Sequence, residues 1–197
     1  MSEILSMAMK ETADRLLRLA SDTGFQRTVE RAGDLLADAF AAEKAVFACG
    51  NGGSMCDAMH FAEELSGRFR ENRPPLPASA ISDPAYLTCT ANDFGYQHVF
   101  SRYLQAHARA GDVLIALSTS GRSANIIAAA ETVRAKGGKV ISLTGRSGSD
   151  LGALADVDLC VGTTEYADRA QEIHILLLHS LVQMVEQRLF AGVGADS

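Results

Sequence analysis

Between Cys49 and Leu65 the chain reads CGNGGSMCDAMHFAEEL, a glycine turn followed closely by a histidine and two glutamates. Two chemistries are written into so short a run. Gly50-Asn51-Gly52-Gly53-Ser54 is the kind of turn whose bare backbone N–H groups can approach an anion. His60 and Glu64 are four apart and share one face of any helix that follows, with Asp57 three residues before His60 on roughly the same side. An imidazole and a carboxylate one turn apart can hold a metal ion or pass a proton, although a surface hydrogen bond produces the same spacing. A second turn, Ser118-Thr119-Ser120-Gly121-Arg122-Ser123, offers hydroxyl donors without adding charge. Neither turn has the Lys-Ser/Thr of a Walker A loop, and GNGGS is not the dinucleotide GxGxxG, so the expected ligand is a phosphorylated metabolite and not ATP or NAD. Helix capping by Ser and Asn is the alternative for either turn alone, and the recurrence after two strands weighs against it.

A second group of polar residues interrupts the closing apolar segment, AQEIHILLLHSLVQM, at Gln171, Glu172, His174 and His179. A histidine inside LLLHSLV is expected to be buried and to need a partner, either a functional one or a single backbone carbonyl. Gln171 and His179 are two turns apart, about 12 Å along a helix. They can therefore serve one ion only if the side chains lean together or come from different copies of the chain. His98 and His107 fall on a polar run and are expected to be exposed without a role.

The elements that must position these groups follow from periodicity. Residues 1–40 predict two amphipathic helices broken at SDTG. Short β-rich runs then begin: AVFACG (45–50), PASAIS (77–82), DVLIALS (112–118), KVISLTG (139–145) and VDLCVG (157–162). Helical runs separate them, including PAYLTCTANDFGYQHVFSRYLQAHARA, and a long helix from Asp168 to Phe190 closes the chain. Strands apolar on both faces and alternating with helices predict an α/β fold, a doubly wound parallel sheet of about five strands in one domain. Ligands in such folds sit beyond the carboxyl ends of the strands, where both turns fall.

Bulk composition narrows the function. With 197 residues, 47% hydrophobic and 21% charged, the chain suits one soluble domain, and no apolar run approaches the roughly 18 residues of a membrane span. The first residues do not have the form of an export signal. A net charge of −6 argues against a nucleic-acid surface. The four cysteines, Cys49, Cys56, Cys89 and Cys160, have no CxxC spacing and are expected to be reduced thiols of a cytoplasmic protein.

Taken together, CGNGGS, DAMHFAEELSGRF with ENRP, ANDFG, GDVLIALSTSGRSAN and YADRAQEIH, in that order, resemble the phosphoheptose isomerases of the sugar-isomerase (SIS) superfamily over nearly the whole chain. The resemblance implies a flavodoxin-like SIS fold, with residues 1–42 as a helical pair used in oligomerisation, 43–190 as the core and 191–197 as a disordered tail. It implies a cytoplasmic homotetramer with sites at subunit interfaces, taking sedoheptulose 7-phosphate to D-glycero-D-manno-heptose 7-phosphate, the first step toward the heptose of lipopolysaccharide. Carried over by motif, Asn51, Gly52, Gly53, Ser54, Ser118, Thr119, Ser120 and Ser123 bind substrate, the last four chiefly its phosphate. Asn92 and Asp93 touch sugar hydroxyls, with Glu64, Arg68, Asp168 and Gln171 also at the substrate. His60, Glu64, Gln171 and His179 match the ligands of a divalent metal, usually zinc, one per subunit. Glu64 is the implied base and His179 its acid/base partner. The chain departs from the family in lacking an early proline in VGTTEYAD and in its GVGADS tail. Relatives that use the same scaffold as tetrameric binding proteins or as sugar-phosphate sensors are the rival readings, and the presence of both Glu64 and His179 favours an enzyme.

Overall fold

The computed structural model describes residues 2–70, 72–162 and 166–191, so the expected tail beyond Ala191 and residues 163–165 of VGTTEYAD lie outside the described residues. Two helices open the chain, α1 (Ser2–Ser21) and α2 (Thr23–Ala41). They part at Asp22, whose carboxylate accepts from the Gly24 and Phe25 amides and so caps α2. Five strands follow: β1 (Val46–Cys49), β2 (Ala78–Ala80), β3 (Val113–Ser118), β4 (Lys139–Thr144) and β5 (Val157–Cys160). Each lies within one or two residues of its predicted run. The intervening helices are α3 (Gly53–Ser66), α4 (Pro84–Phe94), α5 (Val99–His107), α6 (Ala124–Ala135) and α7 (Asp150–Leu154), and α8 (Ala167–Phe190) comes last. The run from Pro84 to Ala110 is not one helix. Gly95, at φ +91°, stops α4, and a 3-10 turn, Tyr96–His98, leads into α5.

All strand pairs are parallel, in the order β2-β1-β3-β4-β5. The chain winds outward from β1 to β2, then returns to place β3 on the other side of β1. Strand order therefore reverses between β1 and β3, and the turns after these two strands are brought side by side. Alternate residues feed two cores. Val46, Ala48, Ile115 and Ile141 pack with α2, α3 and α8, while Phe47, Cys49, Leu114 and Val140 pack with α5, α6 and α7. Because both faces are covered, β1 and most of β3 are apolar, and both are buried at every position.

Candidate active site

The two turns sit where the topology places them, and their polar groups are not spent on capping. Ser123 occupies the N-cap of α6 but makes no side-chain cap bond. Its hydroxyl lies 3.0 Å from that of Ser118, which is buried and also lies 3.5 Å from the Ser120 hydroxyl. Three hydroxyls are thus gathered at one point of the Ser118–Ser123 loop. Gly121 has φ +63° and a Cβ there would lie 2.3 Å from the Ser149 side chain, so the turn requires glycine. Across from it, Asn51 and Ser54 open α3, and Gly53 lies so close to Gln171 that a Cβ would come within 2.8 Å of its amide. The Gln171 amide donates to the Ser54 hydroxyl at 3.4 Å.

The histidines and carboxylates assemble elsewhere on the same helix. Glu64 Oε1 lies 3.2 Å from His60 Nε2 and 3.4 Å from His179 Nε2. The two imidazoles meet edge to face with ring centroids 5.1 Å apart, and Phe69 stacks on His179 at 5.9 Å. Gln171 rests on Ser54 while His179 reaches Glu64, so α3 and α8 run alongside each other in the same direction. Within this chain the amide of Gln171 is held at the turn, two helical turns from the Glu64 cluster. Ten residues of α3 separate Ser54 from Glu64, about 15 Å along the axis.

Glu64 is buried, and its Oε2 has no hydrogen-bond partner. Burial raises its pKa above the ordinary carboxylate value, against the opposing pull of His179 and then His60. Asp57, two turns earlier, behaves alike: its Oδ2 is buried without a partner, and burial raises its pKa more than His60 and His179 lower it. A carboxylate with an unmet oxygen, beside two imidazoles, is short of a cation or a proton. His60, Glu64 and His179 offer three donor atoms all within 4.8 Å of one another, a nitrogen and oxygen set that suits a divalent ion such as zinc.

Arg73, from the ENRPPLP connection, fixes the end of α3. Its guanidinium is buried, donates to the backbone carbonyls of Glu64 and Leu65 at 2.6 Å each, and pairs with Glu186 at 3.0 Å. The last carbonyls of α3 are thereby satisfied, and the backbone that carries Glu64 is held in place. Sequence reading assigned Arg73 only to a stiff linker. It also assigned nothing to Phe69, Tyr96 or Asn125, and the only signal for them was their place inside or beside the quoted motifs.

The remaining predicted residues divide. Arg68 follows α3 and is exposed. Asn92 and Asp93 are exposed near the end of α4, hydrogen-bonded to each other at 2.8 Å. Asp168 is exposed in the first turn of α8 and pairs with Arg169 at 3.4 Å. None of these four makes a recorded bond to the Glu64 cluster. The two histidines of α8 part: His174 is wholly buried, as the apolar segment predicts, whereas His179, inside LLLHSLV, keeps 38% of its side chain exposed and faces α3. His98 and His107 are exposed, as expected, and all four cysteines are free.

Comparison with known proteins bears on the family. The SIS domain family matches residues 10–145. The phosphoheptose isomerase of Serratia proteamaculans is 53% identical over 187 residues, 95% of this chain and 97% of that protein. The structure of the phosphoheptose isomerase from Neisseria gonorrhoeae superposes with a TM-score of 0.87 at 35% identity, over 94% of this chain and 98% of that one. The Francisella tularensis phosphoheptose isomerase gives 0.88 at 30% identity, over 94% and 97%. With identity of this level along almost the entire length, and with the turns and the His60, Glu64 and His179 cluster in place, the chain belongs to the phosphoheptose isomerase family of SIS-domain proteins.

Proposed function

We infer that the chain is an enzyme that isomerises sedoheptulose 7-phosphate to D-glycero-D-manno-heptose 7-phosphate, the first step toward ADP-heptose and the lipopolysaccharide core. The observation that carries this reading is the convergence of a buried carboxylate and an imidazole from separate helices, 3.4 Å apart. Ketose-to-aldose isomerisation removes a proton from C1 and returns one to C2, while a proton passes between the two oxygens of an enediol. Glu64, with its pKa raised by burial, is the base at carbon. His179, partly exposed beside it, moves the proton at oxygen. Phe69 stacked on that imidazole limits its orientation.

His60, Glu64 and His179 would hold a divalent metal, with zinc the ion best suited to two imidazoles and a carboxylate, and Gln171 of the same or another copy as a further ligand. A bound ion supplies Lewis-acid polarisation of the carbonyl and charge stabilisation of the enediolate. The hydroxyls of Ser118, Thr119, Ser120 and Ser123 take the phosphate, and Asn51, Gly52, Gly53 and Ser54 take the adjoining part of the sugar. Asn92, Asp93, Arg68 and Asp168 complete the contacts.

The 15 Å or so between Ser54 and Glu64 requires an extended substrate or a cluster that serves another copy's turn. A homotetramer with sites at subunit interfaces meets that requirement. Residues 1–42 are its oligomerisation part, 43–190 the α/β core. In support, no residue of α1 is fully buried in the single chain, and the helix exposes Ile4, Leu5, Met7, Met9 and Leu17. Leu16 and Leu19 of α1, with Phe25, Leu176 and Leu177, line an apolar cleft of about 470 Å³. The enzyme acts in the cytoplasm; no helix among the described residues is long and apolar enough to cross a membrane.

The test is direct turnover of sedoheptulose 7-phosphate followed by NMR, with metal content measured on the same preparation. Aldose formation that is lost on chelation and restored by zinc is expected. A protein that binds the sugar phosphate without turnover would be a binding module and would overturn the reading.

A further inference from the structure

The two turns of the site are tied together by a polar contact that periodicity does not reveal. Asn51, in the glycine turn, and Asn125, in the first turn of α6, exchange a reciprocal pair of amide hydrogen bonds. Asn51 Nδ2 donates to Asn125 Oδ1 at 2.9 Å, and Asn125 Nδ2 donates to Asn51 Oδ1 at 2.8 Å. The Tyr96 hydroxyl, from the 3-10 turn after α4, donates to the same Asn51 Oδ1 at 2.8 Å. Asn125 is 3% exposed, whereas Tyr96 is 56% exposed. Three segments far apart in sequence, the turn after β1, the loop after β3 and the loop after α4, therefore meet on one side-chain oxygen.

Each carboxamide in such a pair is fixed in rotamer and in orientation, because turning either one by half a rotation would set donor against donor and acceptor against acceptor. Asn125 is too buried to reach a substrate in the solvent-facing turn. Its amide instead spends both polar atoms on Asn51, so what it determines is where Asn51 and the glycine turn stand relative to the serine loop that begins its own helix. We propose that Asn125 is a positioning residue of the isomerase site: it clasps the sugar-binding turn to the phosphate-binding loop, with Tyr96 as an outer brace, so that one substrate is gripped by both at a fixed offset. This rests on the proposed function of the two turns.

Replacement of Asn125 by Ala leaves Asn51 with its Nδ2 unpaired next to a buried gap, and the loss of one such pairing is worth about ten- to hundredfold in an equilibrium. Wild-type turnover of sedoheptulose 7-phosphate is measured first, and its absence overturns both the function and the clasp. With turnover established, Asn125→Ala is expected to raise KM at least about tenfold while inhibition by inorganic phosphate, which needs only the serine loop, stays within about twofold. In the Asn51→Ala background the same change should leave KM unaltered, since the clasp is already open. Tyr96→Phe removes one hydroxyl from an exposed side chain and cannot unfold the protein; it should raise KM by about two- to fivefold. If Asn125→Ala lowers kcat and melting temperature with KM unchanged, Asn125 is only structural and the clasp is overturned. A parallel loss of phosphate inhibition would also overturn it, by placing the effect in the serine loop alone. So would an unchanged KM in Tyr96→Phe.

Discussion

The seam between α3 and α8 and the loops at the amino ends of the strands both hold buried or half-buried ionisable groups, and they satisfy them differently. At the amino ends, Asp112 is 4% exposed and uses both oxygens, accepting from the Ala45 amide at 3.0 Å and the Arg109 amide at 2.7 Å. Asp156 accepts from the Val140 amide at 2.9 Å and pairs with Lys139 at 3.0 Å. Burial would raise the Asp156 pKa, but the Val140 amide, Lys139 and Arg134 outweigh it and hold the carboxyl below its usual range. In the seam, burial wins: Glu64 and Asp57 are both pushed up, each with an unpartnered oxygen, and at His174, beside Thr144 of β4, burial likewise outweighs the pull of the Thr144 backbone. Folding alone would favour the first solution everywhere, so two carboxylates with unmet oxygens on one face of α3 are what the proposed binding and proton transfer would use.

The largest effect should come from Glu64→Gln, which keeps the shape and removes the base. General-base loss predicts about a 10²- to 10⁴-fold fall in kcat, with KM changed little. The melting temperature of the metal-free protein should hold or rise, because a neutral amide replaces a carboxyl whose ionised form burial disfavours. The comparison breaks if the variant retains near-normal kcat, or if it unfolds as a paired carboxylate's loss would make it.

A smaller effect sharpens the same contrast at His174. Burial lowers its pKa from 6.5 to about 4, against a weaker opposing pull from the Thr144 backbone. The folded chain therefore refuses, down to about pH 4, a proton that the unfolded chain accepts near 6.5. Stability is fully present above that unfolded value and falls as pH drops through the window, by on the order of 3 kcal/mol. His174→Leu should remove this slope from denaturant midpoints measured between pH 7 and 4. A slope unchanged by the substitution would show that the ring is satisfied in solution and does not belong with Glu64 and Asp57.

The same contrast explains what could be read from the chain beforehand. The strands were legible because burial on both faces leaves short, mostly apolar runs between helical ones, and the His60 and Glu64 pairing was legible because helical spacing is local. The exposure of His179 was not. LLLHSLV suggests burial from its neighbours in sequence, yet the face of a helix is set by residues three and four away: His174 shares its face with buried Ala170, Leu177 and Leu178. His179 lies beside Leu176, which is 44% exposed. Arg73 and Asn125 were illegible for a different reason, since each acts on a partner distant in sequence and no periodicity marks a polar contact of that kind. The break at Gly95 needed only one positive-φ glycine inside an otherwise helical run.

The smallest effect tests the amino-end half of the comparison. Asp112→Ala strips an acceptor from two backbone amides that enter β1 and precede β3, Ala45 and Arg109, and leaves them buried or half-buried without partners. Such losses cost about 1–3 kcal/mol, and Asp112→Asn, which keeps one acceptor oxygen, should cost roughly half. Neither amide adjoins the turns or the Glu64 cluster, so kcat and KM measured well below the melting transition should match the parent in both variants. If kcat fell while the melting temperature held, the fully paired acids at the amino ends would share in the chemistry. Satisfied hydrogen bonding would then no longer separate structural groups from functional ones in this molecule.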